Sequence, residues 1–544
     1  MPHADLTELL RKIDLPSLRT FAGETIIKAI ESVTPANYEG QLCEILKLKY
    51  GNDILAERPI RLALLDSLKE GEARTFCSTL GLSSGSHAQS CANLQHHFTG
   101  WTEKKSEQFI SLLNLSPDYM YQRIVDTRPP KETIAARFGE TVILKGILHP
   151  YQKRIKDEIV THSTSLGTRF LVQMPTGSGK TYTALEASVD MFRLPRHNRF
   201  AVWLVDSNEL AEQAFEAFKE LWHLKGDKAL TLFRLFKDFS SDYRAENGGI
   251  VFTSFDKFHS VLKNPAHAAH QSTWHLVKNT QLLIVDEAHT SVAPTYEECI
   301  RAFINTDACV VMGLTATPGR RVAVETIDLT RLYSTTLISI TGEDLEPLAD
   351  PIKFLQDGRY LAKLTIATLE TNVQAGGTPN EVCTALAKNP ERNKRIIEQI
   401  KLAVEAQQPT LVFACTLDHV FALKILCAAS GVDCRVITGA TPQTSRIAIL
   451  DAFRREAYYI LINLDLLSTG IDLPNVQKII ITRPIGSPIL YSQILGRALR
   501  GPLNGGRTQN TVLTLKDNLA NYPSEHLVYS YFSEQWNNPN PVIE

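Results

Sequence analysis

Apolar positions along this chain follow two different rhythms. From residue 1 to about 130 they recur at helical spacing, as in Leu6, Leu9, Leu10 and Ile13, and again in Leu62, Leu65 and Leu68. That pattern predicts an all-α N-terminal domain over residues 1–130. Arg128-Pro129-Pro130 marks its end, because the residue before a proline is pushed out of the helical region. From 140 to 342 short apolar runs alternate with polar, helix-like stretches. The runs include Phe170-Leu171-Val172, Ala201 to Val205, Ile250-Val251-Phe252, Leu282 to Val285 and Cys309 to Met312. Strands of a parallel sheet covered by helices on both faces have this texture. Residues 343–390 are less regular and hold Gly376-Gly377-Thr378-Pro379, a predicted loop. They read as a linker and the start of a second block. That block runs from 391 to 520, with strands at Leu411-Val412-Phe413, Tyr459 to Ile462 and Ile479-Ile480-Ile481. Residues 521–544 read as a tail. The expected class is α/β: two parallel sheets covered by helices, with an all-α domain in front.

Composition narrows the picture modestly. At 544 residues the chain is too long for one core, so several domains are expected. Lys plus Arg total 57 against 59 acids, a net charge of −2. This excludes a polybasic protein but leaves room for a basic groove. No apolar run reaches the roughly 18 residues a bilayer demands, so no membrane association is expected. No basic segment leads into an apolar one near Met1, so no signal peptide is expected. The nine cysteines are scattered without a Cys-x-x-Cys pair. This argues against zinc or a disulfide framework and for a reducing cytoplasm.

The chemistry enters at Met174-Pro175-Thr176-Gly177-Ser178-Gly179-Lys180-Thr181, between an apolar strand and a helical pattern. Glycines there let backbone N–H groups turn inward around an anion, and the following helix adds its positive end. Pro175 to Thr181 are therefore the expected cradle for ATP phosphates. Lys180 would reach the β- and γ-phosphates, and the Thr181 hydroxyl would ligate Mg²⁺. Met174 departs from the strict pattern, which begins with glycine. The second element is Leu282-Leu283-Ile284-Val285-Asp286-Glu287-Ala288-His289, with two acids just beyond a strand's C-terminal end. Ligands of open α/β sheets bind at that edge. Asp286 is expected to hold Mg²⁺, and Glu287 to orient or deprotonate the attacking water.

With these residues the sequence resembles the superfamily 2 helicases and translocases over residues 148–510. Leu148-His149-Pro150-Tyr151-Gln152 resembles the adenine-recognition element, with Gln152 reading the base. Val205 to Gln213 resembles motif Ia and Thr253-Ser254-Phe255 occupies the place of motif Ib. Gly313-Leu314-Thr315-Ala316-Thr317-Pro318 matches motif III, and Leu411 to Ala414 is similar to motif IV. Ser468-Thr469-Gly470-Ile471-Asp472-Leu473-Pro474 matches motif V, and Gln493-Ile494-Leu495-Gly496-Arg497-Ala498-Leu499-Arg500 matches motif VI. The resemblance implies two RecA-like lobes with ATP and Mg²⁺ between them. It implies nucleic-acid contacts at Ser207 and Thr253 in the first lobe and at Thr438 and Gly439 in the second. It assigns coupling to Thr315 and Thr317, and ATP contacts to Gly470 and Asp472. Gln493 would lie near the attacking water, and Arg497 and Arg500 would face the γ-phosphate. Arg500 is the expected arginine finger, stabilising charge only when the lobes close.

Gln493 and His289 stand where RNA-acting DEAD-box proteins usually carry histidine and aspartate. The run Arg483 to Tyr491 and the stretch Pro351 to Ala362 resemble the motor subunits of type I and type III restriction enzymes and related bacterial defence helicases. This implies DNA rather than RNA as the track, and a defence role. No metal-dependent nuclease core is recognised: Glu44 to Lys47 has the wrong spacing, and His223-Leu224-Lys225 resembles half of a phospholipase-type nuclease motif but has Leu230 where its Asp should stand. His87, His96, His97 and His162 are not spaced for zinc. Cleavage would thus come from a separate partner subunit. Residues 1–130 lack phosphate-loop chemistry and are expected to form a docking or DNA-contact domain that can be removed without loss of ATP hydrolysis, with helices that pack on the first lobe and complete its surface as the rival. Trp101-Thr102-Glu103-Lys104-Lys105 reads as a solvated charge run, with a partner or DNA contact as its rival. The rival functions are an RNA helicase or remodelling ATPase, a nucleic-acid sensor that uses ATP without travelling, and a purely structural subunit.

Overall fold

The computed structural model describes the chain except residues 1–2, 34–38, 121–127, 136–146, 195–199, 246–247, 307, 318–322, 343, 349, 372, 374, 465–472, 486–487 and 517–544. Eight helices lie between Leu6 and Leu113 among the described residues. Asp5, Asp14, Ser86 and Thr102 cap four of them, each accepting a bond from a first-turn N–H. Trp101 is half-buried against the helical core. Its ring lies 4.4 Å from the guanidinium of Arg61, which is buried and donates to Leu55 O and Phe98 O at 2.6 and 3.0 Å.

The first sheet has eight strands: β1 (Lys131–Ile134), β2 (Arg169–Gln173), β3 (Phe200–Val205), β4 (Leu230–Leu235), β5 (Gly249–Ser254), β6 (Thr280–Val285), β7 (Val310–Thr315) and β8 (Leu337–Ile338). Their order is β1-β4-β5-β3-β6-β7-β2-β8, parallel except for the β1–β4 pair. The second sheet has six: β9 (Lys363–Glu370), β10 (Thr410–Phe413), β11 (Cys434–Ile437), β12 (Ile460–Asn463), β13 (Lys478–Ile481) and β14 (Gln509–Lys516). Its order is β11-β12-β10-β13-β14-β9, parallel throughout. Helices bury both faces of each central strand, which explains the unbroken apolar runs.

Two features of the connections were not foreseen. The N-terminal helices pack on the second sheet's helical layer and share one hydrophobic core with it. That core joins Ile26, Ile30 and Leu46 to Val420, Leu423 and Ile462. Glu24–Val33 lies against Leu417–Ala429, and Lys49 pairs with Asp418 at 2.9 Å. Gly23, at φ +90°, is needed here, since a Cβ would come within 2.7 Å of the Asp418 carboxylate. The chain then returns to the first sheet by residue 128. Arg128 pairs with Glu212 at 2.6 Å. Buried Arg234 binds Pro129 O, Glu132 and Glu216 at 3.0, 2.6 and 2.9 Å and stacks on Phe215. Arg128-Pro129-Pro130 thus already belongs to the first lobe. Likewise β9, within the stretch read as linker, pairs along its whole length with β14.

Candidate nucleotide site

Strand order builds the site. β6, β7 and β2 are neighbours, so their C-terminal ends set the two acids, Thr315 and the glycine loop side by side. Gly177 and Gly179 sit at φ +83° and +86°, and Lys180 opens the helix Lys180–Arg193. A Cβ at Gly179 would lie 2.3 Å from the Gln152 amide, so this position also lacks room for a side chain. Gln152 donates to Ser178 O at 2.8 Å, and the Tyr151 hydroxyl donates to the same carbonyl at 2.7 Å. Ser178 Oγ closes the turn on Pro175 O at 2.6 Å. The element expected to read a base is thereby fastened to the element expected to hold phosphates.

Lys180 Nζ lies 3.2 Å from Asp286 Oδ1 and 3.0 Å from Glu287 Oε1. Burial works against its charge, but the two carboxylates outweigh that and raise its pKa. Thr181 Oγ1 donates to Asp286 Oδ2 at 3.1 Å. Two carboxylates face one ammonium, which leaves a negative charge beside a hydroxyl. Hard oxygen donors in that balance suit Mg²⁺ once phosphate oxygens complete the set. Among the described residues no cluster of three His, Cys, Asp or Glu side chains could hold a metal alone. Asp286 and Thr181 are the residues here that could hold Mg²⁺.

Glu287 adopts φ +49° and ψ 46°, the left-handed region. A non-glycine residue there carries local strain, of order 1–3 kcal/mol, and such residues concentrate at functional sites. Side chains hold the turn: Glu287 N donates to Asp286 Oδ1 at 2.9 Å, and Thr290 Oγ1 donates to Glu287 O at 2.9 Å. His289 Nδ1 stands 3.4 Å from Glu287 Oε2 and 3.4 Å from Thr315 Oγ1. Thr315 in turn donates to Thr317 O and accepts from Thr317 N. A continuous chain of contacts therefore runs from Glu287 through His289 to Thr315 and Thr317.

The second lobe closes the other side. The helix Pro488–Gly496 carries Gln493 and ends against the phosphate loop. A Cβ on Gly496 would come within 2.0 Å of the Thr176 methyl, and Leu499 flanks Gly177. Arg497 and Arg500 follow, both partly exposed. Gly470 and Asp472 lie outside the described residues, as does Pro318.

The expected nucleic-acid positions fare unevenly. Ser207 caps the helix Asn208–Lys225, accepting from Leu210 N. Thr438 and Gly439 follow β11, and the space beside Gly439 is open. Glu209, two residues past Ser207, and Arg446, beside Thr438, form an ion pair between the lobes at 3.8 Å. Thr253 corrects the expectation: it is wholly buried and its hydroxyl donates to Leu235 O at 2.6 Å. A β-branched threonine at a buried strand end satisfies its hydroxyl internally, so no side-chain contact with phosphate is available. Sequence reasoning also missed His149, Tyr360 and Asn504, which meet at the junction of the lobes. Spacing held no signal for them, since 355 residues separate the first from the last.

Comparison with known proteins places this geometry. Residues 145–320 match the family described as "Type III restriction enzyme, res subunit", and residues 391–502 match "Helicase conserved C-terminal domain". The helicase-named IRC3 of Saccharomyces cerevisiae is 25% identical over 371 residues, 65% of this chain and 49% of the relative. The type I restriction enzyme EcoKI endonuclease subunit of Escherichia coli is 26% identical over 386 residues, 61% of this chain and 31% of the relative. The ATP-dependent RNA helicase DbpA of Bacillus subtilis is 24% identical over 321 residues, 57% of each. The chain thus spans about half the length of the curated relatives it matches. The fold is also that of the DNA-bound type ISP restriction-modification enzyme LlaBIII, with a TM-score of 0.51 at 13% identity over 73% of this chain and 30% of that one. Two family models in sequence, laid over two parallel sheets with the glycine loop and carboxylate pair at their junction, give the assignment: the chain belongs to the superfamily 2 helicases and is related to the motor subunits of restriction enzymes.

Proposed function

We propose that this chain is a nucleic-acid-stimulated ATP hydrolase that moves along or opens DNA. Lys180, held between Asp286 and Glu287 at 3.2 and 3.0 Å, carries the reading. An ammonium so placed offsets phosphate charge, while Glu287 is left to accept a proton from water. Asp286 and Thr181 would hold Mg²⁺, whose chemistry there would be to offset phosphate charge. Gln493, Arg497 and Arg500 would complete the site from the second lobe. In this reading closure on ATP and reopening after hydrolysis alternate the grip of Ser207 and of Thr438 and Gly439 on the strand. Phosphate contacts of this kind weaken steeply with salt.

DNA as track, a restriction-type or antiphage role and a separate nuclease subunit are supported by the restriction-enzyme relatives and by the sequence of motif VI. Among the described residues no helix is long and apolar enough to cross a membrane. A cytoplasmic location accords with nine free cysteines. The RNA-helicase relative supports RNA as the alternative track. Measuring ATP hydrolysis in parallel with duplex DNA, forked DNA, single-stranded DNA and RNA tests the reading. Stimulation by DNA is expected. Stimulation by RNA alone would move the track to RNA, and hydrolysis without strand or triplex displacement would make the chain a stationary switch.

A further inference from the structure

The N-terminal end of the helix Pro150–His162 does more than fasten the phosphate loop. Gln152 Oε1 accepts from His149 N at 2.9 Å, while its amide nitrogen holds Ser178 O. The His149 ring turns outward and places Nε2 at 2.9 Å from Asn504 Oδ1. Asn504 Nδ2 donates to Tyr360 O at 2.9 Å, which fixes the amide's orientation. The atom facing His149 is therefore an acceptor, and the imidazole must carry its proton on Nε2. The Tyr360 ring packs on His149 and Tyr151, with centroids at 4.7 and 5.0 Å.

Asn504 stands four residues beyond Arg500 in a turn stitched to the segment between the lobes. Leu499 O accepts from Ala362 N at 2.8 Å, Gly501 N donates to Tyr360 O at 3.2 Å, and Leu361 bridges Arg500. Backbone bonds thus tie the arginine-bearing segment of motif VI to residues 359–362. Among the described side-chain hydrogen bonds, His149 to Asn504 joins that assembly to the helix that carries Gln152.

We propose that Asn504 is a positioning residue for ATP hydrolysis: its hydrogen bond with His149 seats motif VI against the base-reading end of the first lobe. The inference rests on the ATP-site reading above. The physical argument is one of leverage. A change at Gln152 on engaging a base reaches His149 through the 2.9 Å capping bond, and reaches Arg500 only if Asn504 is held. Losing the bond should leave ATP binding intact and mis-seat the arginines needed in the transition state. Such a loss appears in kcat rather than KM.

The test uses the full chain, with ATP and Mg²⁺ and a saturating stimulating nucleic acid. H149F keeps the ring that packs on Tyr360 and removes the donor; N504A removes the acceptor. Each is expected to lower kcat roughly five- to tenfold, the range one hydrogen bond covers, with KM for ATP changed less than about twofold. The double variant should be no slower than the worse single one. H149Q, which keeps an N–H donor, should recover most of the lost turnover. Both positions are only half-buried, so the variants should fold, and melting curves are recorded alongside. Unchanged kcat in folded N504A overturns the proposal, as do losses that simply multiply or a loss confined to KM. A K180A control separates this from the site reading. If K180A retains turnover, the ATP site itself is misassigned; if K180A is dead and N504A is normal, only the positioning role fails.

Discussion

Thr181 and Asp286, 105 residues apart in sequence, share a hydrogen bond of 3.1 Å that ties the first turn of the phosphate-loop helix to the end of β6. Lys180, one residue earlier, spans both acids, so the loop and the acidic turn form one charge-balanced unit. K180A therefore has two consequences. Turnover should be lost, because no nearby side chain can supply the cation. Stability should fall as well, since removing one partner of a largely buried ion pair strands the others. Steady-state ATPase with a thermal melt of the same sample checks both, and near wild-type turnover in a folded variant would refute the phosphate-loop assignment.

E287Q should separate binding from hydrolysis. The amide keeps the shape and the left-handed turn but cannot take a proton, and one general base is typically worth about 10²–10⁴-fold in rate. ATP binding should survive, because Lys180 keeps its pairing with Asp286. Nucleotide titration and single-turnover kinetics measure the two terms. Hydrolysis within a few-fold of wild type would show that Glu287 is not the base.

His419 gives a prediction in pH. It is fully buried, accepts from Cys415 N at Nδ1 over 3.1 Å, and donates from Nε2 to Asn393 Oδ1 over 3.0 Å. Burial, with help from the Arg392 charge, pushes its pKa down from 6.5 to about 3. The unfolded chain binds that proton near pH 6.5 and the folded chain does not. The stability contribution is therefore present above pH 6.5 and is lost as pH falls towards 3. At pH 5 the loss is about 2 kcal/mol. H419N should be less stable at pH 7 but lose less between pH 7 and 5. Denaturant melts at both pH values decide it; parallel curves for the two proteins would mean that His419 is protonated in the fold.

How much of this was legible in the sequence depended on the range of the interaction. β2, β3, β5, β6, β7, β10, β12 and β13 all fall on apolar runs, because a strand buried on both faces has no polar positions to interrupt it. β9 was missed because it is a sheet edge, and its Lys363-Leu364-Thr365-Ile366 start is largely exposed. β11 was missed because it is an edge strand whose apolar run is interrupted by the exposed Arg435. The phosphate loop and the acidic turn were readable because each packs its chemistry into eight consecutive residues. His149, Tyr360 and Asn504 were not, since they meet only after both lobes have formed. Thr253 was misjudged because motif position does not report burial.

The last prediction concerns the first 130 residues. Helical stripes alone suggested a self-contained docking domain whose removal would leave the motor intact. Their packing argues otherwise. Ile26, Ile30, Leu42 and Leu46 share one core with Val420, Leu423, Leu426 and Ile462 of the second sheet's layer. A chain starting at residue 131 would expose the apolar face of Leu417–Ala429 and leave Asp418 without Lys49. Uncovering several large aliphatic side chains, at about 1.5–3 kcal/mol each, exceeds the stability of a typical domain. It would also sever Arg128 from Glu212 and Pro129 from Arg234. The truncated chain should therefore be insoluble or molten and inactive. Milder changes at the seam should be graded: K49A should cost about 1 kcal/mol, and G23V more, because φ +90° and the 2.7 Å approach to Asp418 both oppose a side chain. Solubility, melting and stimulated ATPase of the three variants make the test. A soluble, cooperatively melting and fully active chain from residue 131 would restore the detachable docking domain and show that the shared core contributes little.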